Sequence, residues 1–479
     1  MFKNMPLVNG LTEYISKNQL AFHMPGHKGG RLMPELSSFS FAQMDMTEVS
    51  GLDNLQSPEG IIREAQQLAA KAFQSDACFF LINGSTSGIH AMMMATFQAG
   101  DQVLIPRNCH KSVWGGLILS GAEPVFIQPE YDEERCLVTH VSPGCVRQAI
   151  RENPNAKGMV ITNPDYYGLC PQLSEIQSIL AINGMKLLVD EAHGPHLIFH
   201  PDLPPSAAQC RADLWVQSAH KTLPALTQAA YLHIGNQVSP TDSRLIEKVT
   251  QYHRLLQSTS PSYLIMASLD YARAYMEEHG KVSLDMLLEH LTWTRSELNT
   301  LGIDTMQGYS RSEIYQIDAT RLVLDISKLG LTGFQGEEIL RQAGVQVEMS
   351  DSHRLVLVCT VADRREDFQC LVDACKHLST HMGNREIKGR KLTISREIPR
   401  QMLSPKEAFA GNVEWVLLDQ AAGRICGGAP VGPYPPGIPS YYPGELITKS
   451  GLEGLLENQA QGAQLFGLSE DDKISVIID

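Results

Sequence analysis

The sequence predicts an α/β chain whose largest part is a doubly wound sheet. Three observations carry that expectation. Between residues 76 and 235, short apolar runs alternate with helical stretches, the pattern of strands joined by crossover helices. Over 300–380 the pattern restarts as strand, helix, strand, strand, helix, which describes a second, smaller α/β unit. Further on, Pro433, Pro435, Pro436, Pro439 and Pro443 preclude a helix and mark a rigid, extended segment ending at Glu445. The expected division is an N-terminal arm at 1–50, a large domain at 51–290, a small α/β domain at 291–385 and a C-terminal domain at 386–479.

Composition narrows the function classes. A formal charge of -14 argues against a nucleic-acid binder, which would show a basic stripe. No apolar run approaches the roughly 20 residues a membrane span needs. The first residues lack the apolar core of a signal peptide, so a cytoplasmic protein is expected. The 10 cysteines include no CxxC spacing, which removes zinc-ribbon and thioredoxin-type readings and leaves reduced, mostly buried thiols.

Taken in order, the chain opens with a short helix near 11–19 and then the loop AFHMPGHKGG, residues 21–30. His23, His27 and Lys28 are its polar handles, and a plain surface turn is the competing reading. Residues 51–73 end in an amphipathic helix, with Ser57 as the expected cap and Pro58 in its first turn. The strand Cys78–Ile82 runs into Asn83-Gly84-Ser85-Thr86-Ser87-Gly88 and a helix. A strand, a small-hydroxyl turn and a helix N-terminus make an anion site, because free N–H groups and the helix dipole converge there. No Gly-Lys-Ser/Thr follows, so this is not a nucleotide P-loop. Met92, Met93 and Met94 read as core.

The strand Gln102–Pro106 leads to His110, whose imidazole face can stack on a flat heteroaromatic ring. The strand Met185–Val189 ends at Asp190, a carboxylate able to hold a pyridinium proton or simply to close a turn. His193 and His196 form an HxxH pair, but the HExxH helix of a metalloprotease is missing and no metal is expected. The stretch DLWVQSAHKTLPALT, residues 213–227, delivers Lys221 to the C-terminal tip of an apolar strand, where open α/β sheets bind ligands. Desolvation there lowers an amine's pKa toward neutrality, and a neutral amine attacks an aldehyde. Residues 241–290 read as helical, broken at Ser258-Thr259-Ser260-Pro261.

HMPGHKGG, GSTSGIHA, RNCHKS, DEAHGPH, SAHK and PYPPGIPSYYPGE occur in that order. Together they resemble the ornithine/lysine/arginine decarboxylase family, in its short form without the N-terminal wing domain. The resemblance implies the pyridoxal-phosphate-dependent, aspartate-aminotransferase-like fold type I: a large domain with a mixed, mostly parallel sheet, a smaller α/β domain and a C-terminal domain. It implies that Lys221 forms the internal aldimine with pyridoxal 5'-phosphate. Ser85, Thr86 and Ser87 would hold the phosphate, with Ser218 and His220 as further cofactor contacts. Asp190 would partner the pyridine nitrogen, His110 would stack on the ring, and Ala192 would lie under its other face with His193 beside it. Thr259 would reach the phosphate of a neighbouring subunit, which implies a homodimer or larger assembly with sites at the interface. The implied reaction is α-decarboxylation of a basic amino acid, as in polyamine biosynthesis. His27 and Glu445, or an acid of the other subunit, are the substrate-side candidates.

Two departures from the family pattern stand out. The segment 426–432, Cys-Gly-Gly-Ala-Pro-Val-Gly, is one residue longer than usual and puts a substrate contact near Gly428 in question. Asp165 stands where a small hydroxyl residue is common. Two other readings stay open on sequence alone: another fold type I reaction, such as transamination or aldol cleavage, and a non-catalytic cofactor-binding paralogue with a regulatory role.

Overall fold

The computed structural model describes residues 13–34, 41–132, 135–236, 243–306, 315–380, 398–434, 439–460 and 464–478. Most of the polar stretch 377–393, which reads as a linker in the sequence, and Pro435 and Pro436 of the proline-rich segment, lie outside these residues.

The large domain is built on a seven-stranded sheet of β1 (Ala77–Leu81), β2 (Gln102–Pro106), β3 (Glu123–Ile127), β4 (Gly158–Thr162), β5 (Lys186–Asp190), β6 (Leu214–Gln217) and β7 (Ala230–Ile234). The spatial order is β1-β7-β6-β5-β4-β2-β3. Strands β2 to β6 pair in parallel, and β7 runs antiparallel to both β6 and β1. Their residues are almost continuously apolar because helices cover both faces, as parallel sheets require. On one side α2 (Gly84–Thr96) and α3 (Lys111–Ser120) pack Met92, Met93 and Leu117 against Val103, Val216 and Leu232. On the other, α4 (Pro143–Glu152) and α5 (Leu173–Ile182) bring Val146, Ile176 and Leu180 onto Met159 and Leu187. Gly88 sets the closeness of α2: a Cβ there would lie 2.4 Å from a Val216 methyl.

The helix expected within 51–73 is α1 (Ile61–Ala72), and its start differs from expectation. Ser57 and Pro58 precede it, and Gly60 at the cap position has no side chain to offer. The carboxylate of Asp53 instead accepts the backbone N–H groups of Glu59 at 3.0 Å and of Gly60 and Ile62 at 2.9 Å. Burial opposes its charge, but these amides outweigh that and hold its pKa below the ordinary value. Asp53→Ala leaves several orphaned amides, and thermal melting is expected to report a loss of about 2 kcal/mol.

Two helices follow β7, Ser243–Leu256 and Tyr263–Thr300, separated at the expected break. The second is a single helix of 38 residues, and it runs through residue 290 into the small domain. That domain has a three-stranded antiparallel sheet of Arg321–Asp325, Arg354–Val358 and Met349–Ser350, covered by helices Gly333–Gln342 and Arg365–Thr380. It is stitched to its neighbours at two places. Tyr315–Ile317 pairs with Leu169–Pro171 of the large domain. Leu20–Phe22, from the arm, pairs in parallel with Val345–Val347, and Phe22 packs 5.6 Å from Phe368. The arm is thus an edge strand of the small domain, which its sequence did not suggest.

The C-terminal domain carries the pairs Val413–Leu417 with Lys473–Ile477 and Gly432–Tyr434 with Gln464–Phe466. Tyr442 ties it to the large domain, stacked 4.8 Å from Phe126. Among the described residues no helix is long and apolar enough to cross a membrane, and all ten cysteines are free.

Candidate active site

Strand β6 ends at Gln217, and the chain turns through Ser218 into a short helix, Ala219–Thr222, that presents Lys221. The Lys221 Nζ lies 2.9 Å from His193 Nε2, and the other ring nitrogen of His193, Nδ1, lies 3.1 Å from Arg321 Nη2. A guanidinium only donates, so Nδ1 accepts from Arg321. With its proton on Nε2, a neutral His193 donates to Lys221, and an amine that accepts is itself neutral. Burial, with Lys221 and Arg321 adding repulsion, keeps the His193 pKa well below its ordinary value. The Lys221 pKa is lowered to about 8, first by burial, with Asp190 and Glu348 pulling it up and Arg321 pushing it down. This is the lysine that the sequence singles out, and its lowered pKa is the shift expected there.

Asp190 closes β5, and the parallel register sets it beside Val216, two residues before Ser218. Its carboxylate is buried and accepts the Ala192 amide at 3.1 Å through one oxygen. Behind it, Glu191 accepts from Ala207 N–H at 2.6 Å, Gln217 Nε2 at 2.7 Å and Asn163 Nδ2 at 3.2 Å. Burial raises the Glu191 pKa to about 8, the three donors restrain the rise, and the Asp190 charge adds to it. His110 caps α3, its Nδ1 facing the Ser112 hydroxyl at 2.7 Å and the Ser112 N–H at 3.3 Å. Burial lowers its pKa, with Asp190 opposing and Lys221 and Lys111 assisting. These contacts fix the His110 ring at the tip of β2.

The N-terminus of α2 completes the group. Asn83 at its cap position makes no side-chain cap; the Gly84 N–H donates to Gln228 O at 3.0 Å, and the amides that follow it in the first turn face the place an anion would take. Ser85 Oγ accepts from Ser218 Oγ at 2.8 Å, which joins this turn directly to the lysine segment. Thr86 is exposed on the turn. The Ser87 hydroxyl is a correction: it is buried, donates to Gly84 O at 2.8 Å and accepts Gln257 Nε2 at 2.9 Å, so only its backbone N–H is left for an anion. His220 Nδ1 donates to Ala229 O at 3.0 Å. Its other nitrogen carries a proton toward an anion only when the ring is charged.

Other candidates fall elsewhere. Both oxygens of Glu445 are taken up by Arg107, Oε1 at 2.5 Å and Oε2 at 3.0 Å, and Oε2 also accepts the Tyr442 amide at 2.8 Å. This carboxylate is a joint between the C-terminal domain and the tip of β2, not a free receptor for a cation. Breaking a buried pair strands its partner, so Glu445→Ala is expected to lower stability by about 3 kcal/mol in chemical denaturation. Asp165 accepts the amides of Tyr167 and Leu169, both at 2.9 Å, and closes its own loop. Gly428, at φ +66°, sits against Ser475 in the C-terminal domain. His27 accepts the Gly30 N–H at 2.9 Å and shapes its loop, which touches the lysine segment through Gly26 N–H to His220 O at 2.8 Å. A Cβ on Gly26 would lie 2.8 Å from Leu223 O, which explains the glycine. Thr259 is exposed on the loop between the two long helices.

Sequence reasoning missed three charged groups around the amine. Arg321 opens a small-domain strand, and its buried Nε and Nη1 have no hydrogen-bond acceptor among the described residues. Glu348 follows the strand Val345–Val347. Arg107 belongs to the joint just described. An arginine at the head of the apolar run Arg321–Leu324 was the one legible signal.

The geometry has known parallels. A Francisella novicida lysine decarboxylase structure superposes with a TM-score of 0.79 at 22% identity, covering 96% of this chain and 79% of its own. A Bacillus subtilis ureidoglycine-glyoxylate aminotransferase superposes at 0.58, with 14% identity over 77% and 95% of the two chains. Sheet order, lysine position and these neighbours define a fold type I protein. More narrowly, models of the Orn/Lys/Arg decarboxylase major domain and C-terminal domain match residues 5–323 and 390–471, and the chain belongs to that family. An arginine decarboxylase of Bacillus subtilis is 35% identical over 98% of this chain and 97% of its own. The inducible lysine decarboxylase of Escherichia coli is 24% identical and is covered over 75% of its length.

Proposed function

We propose that the chain catalyses α-decarboxylation of a basic L-amino acid, with arginine the first candidate and lysine or ornithine next, using pyridoxal 5'-phosphate. The observation that carries this reading is convergence. A lysine of lowered pKa, a buried acid and a helix N-terminus without a side-chain cap meet at one sheet edge. These groups match the cofactor's aldehyde, ring nitrogen and phosphate in turn. The bound cofactor supplies an electron sink for the pair released when the carboxylate leaves as carbon dioxide.

The protein's part is to position and to hold protons. Lys221 would hold the cofactor at its aldehyde carbon. Asp190 would keep a proton on the ring nitrogen. His110 and Ala192 would flank the ring. Amides of the α2 turn, with Thr86, Ser218 and His220, hold the phosphate. Arg321 offers its two unpaired N–H groups to the substrate's α-carboxylate and orients it. Lys221 or His193 returns a proton to Cα. A homodimer in which Thr259 reaches the partner's phosphate belongs to the same reading, and family membership supports it.

The test is product analysis. Purified protein with pyridoxal phosphate is given each of the 20 amino acids, and carbon dioxide and amine are measured. Release from arginine, lysine or ornithine is expected. A keto acid product would favour transamination, and no turnover of any amino acid would favour the regulatory paralogue.

A further inference from the structure

A basic amino acid brings a second charge into the site, and that distal cation needs an acid once water is excluded. The acids near Lys221 are mostly committed. Asp190 faces the ring nitrogen's place, and Glu191 lies behind it with three donors of its own. Asp318 accepts from Thr320 and lies 3.1 Å from His196. Asp351 accepts from Tyr167 and Arg354. Asp165 closes a turn, and Glu445 is held by Arg107.

Glu348 is different. It is half-buried, and each oxygen accepts one hydrogen bond: Oε1 from the Tyr166 hydroxyl at 2.9 Å, Oε2 from the Met24 N–H at 2.9 Å. A carboxylate has about four acceptor positions, so a fork or an ammonium still finds room. The Tyr166 ring lies 4.7 Å from the His193 ring, and His193 touches Lys221. The carboxylate thus stands two side chains away from the reactive amine. Its charge favours the protonated form of Lys221, where that of Arg321 disfavours it.

We infer that Glu348, steadied by Tyr166 and by the Met24 amide of the arm, receives the distal cation of the substrate and sets the preference for basic amino acids. This rests on the decarboxylase reading above. Arg321 and Glu348 then face the two ends of one molecule, an anion and a cation. The arm's loop becomes part of the specificity site through its backbone, a role distinct from that expected of His27.

The experiment compares the full-length holoenzyme with Glu348→Gln and Glu348→Asp on arginine and on citrulline, its neutral isostere. Wild type is expected to prefer arginine strongly. Glu348→Gln is expected to lose roughly ten- to a hundredfold in kcat/KM for arginine, mostly through KM, with citrulline little changed. Glu348→Asp, which keeps the charge on a shorter arm, is expected to fall between. Cofactor absorbance and melting temperature serve as controls. An unchanged arginine-to-citrulline ratio, or equal losses on both, overturns the inference and points to an acid from another subunit or to a structural role. If wild type releases no carbon dioxide at all, the decarboxylase reading fails instead. Perturbation of the cofactor spectrum by arginine against citrulline then still tests Glu348: no arginine preference in wild type, or one that survives Glu348→Gln, overturns it.

Discussion

Lys221→Ala is expected to lower turnover by about four orders of magnitude or more, because the substitution removes the attacking amine. Borohydride treatment of the wild-type holoenzyme should fix the cofactor to the peptide containing Lys221, and mass spectrometry of the variant should find no such adduct. Loss of activity need not mean loss of fold, and the titration of this amine separates the two. In the folded chain its pKa is about 8 against an ordinary 10.5. Below pH 8 the charged amine is held in a partly desolvated place, which costs stability. Between about 8 and 10.5 the unfolded chain binds the extra proton, so that cost is relieved as pH rises. The cofactor-free variant is therefore expected to melt no lower than wild type at pH 7, and the comparison should move toward wild type as pH is raised through 8. The same titration predicts that wild type captures cofactor faster as pH rises toward 8. A variant that kept full turnover, or an adduct on another lysine, would end the assignment.

The sequence made the large domain legible because parallel strands buried on both faces announce themselves as apolar runs, and each run here ends in a polar residue at the ligand edge. Asp190, His110 and Lys221 are all of that kind, and so is the turn before α2. What stayed hidden are contacts made over long separations. Glu445 looked like a free acid because Arg107, its partner, lies 338 positions away. Arg321 sits on a small-domain strand and Glu348 in the bend after another, and nothing local says that they act on a lysine at the edge of a different sheet. The start of α1 was misread for a related reason. The Ser-Pro pair satisfies the local rule for a helix start, but a carboxylate several residues upstream provides the acceptors. Ser87 shows the converse limit: its spacing fits an anion turn, yet Gln257 occupies its hydroxyl. The family resemblance supplied roles for backbone-adjacent residues and gave less about the walls of the proposed substrate pocket.

Asp190→Asn is the second large effect, and its isosteric shape makes it the sharper test of the electron-sink role. The Asn Oδ1 can still accept the Ala192 amide, so the loop after β5 should keep its place. The Nδ2 group then turns a donor toward the ring nitrogen, which must accept and so stays unprotonated. A ring without that proton cannot draw the electron pair from the breaking bond, and a loss of about a hundred- to a thousandfold in kcat is expected, with KM little changed. Borohydride labelling of Lys221 should survive, because the covalent bond to the aldehyde does not need the acid. A further signature follows from the field at the amine. Asp190 is the stronger of the two carboxylates, with Glu348, that favour the charged form of Lys221. Removing its charge should push the lysine pKa lower, and the pH at which cofactor capture becomes fast should fall with it. Turnover within tenfold of wild type would show that the acid closes a turn and nothing more. A shift of the capture profile toward higher pH would show that its charge does not reach the amine.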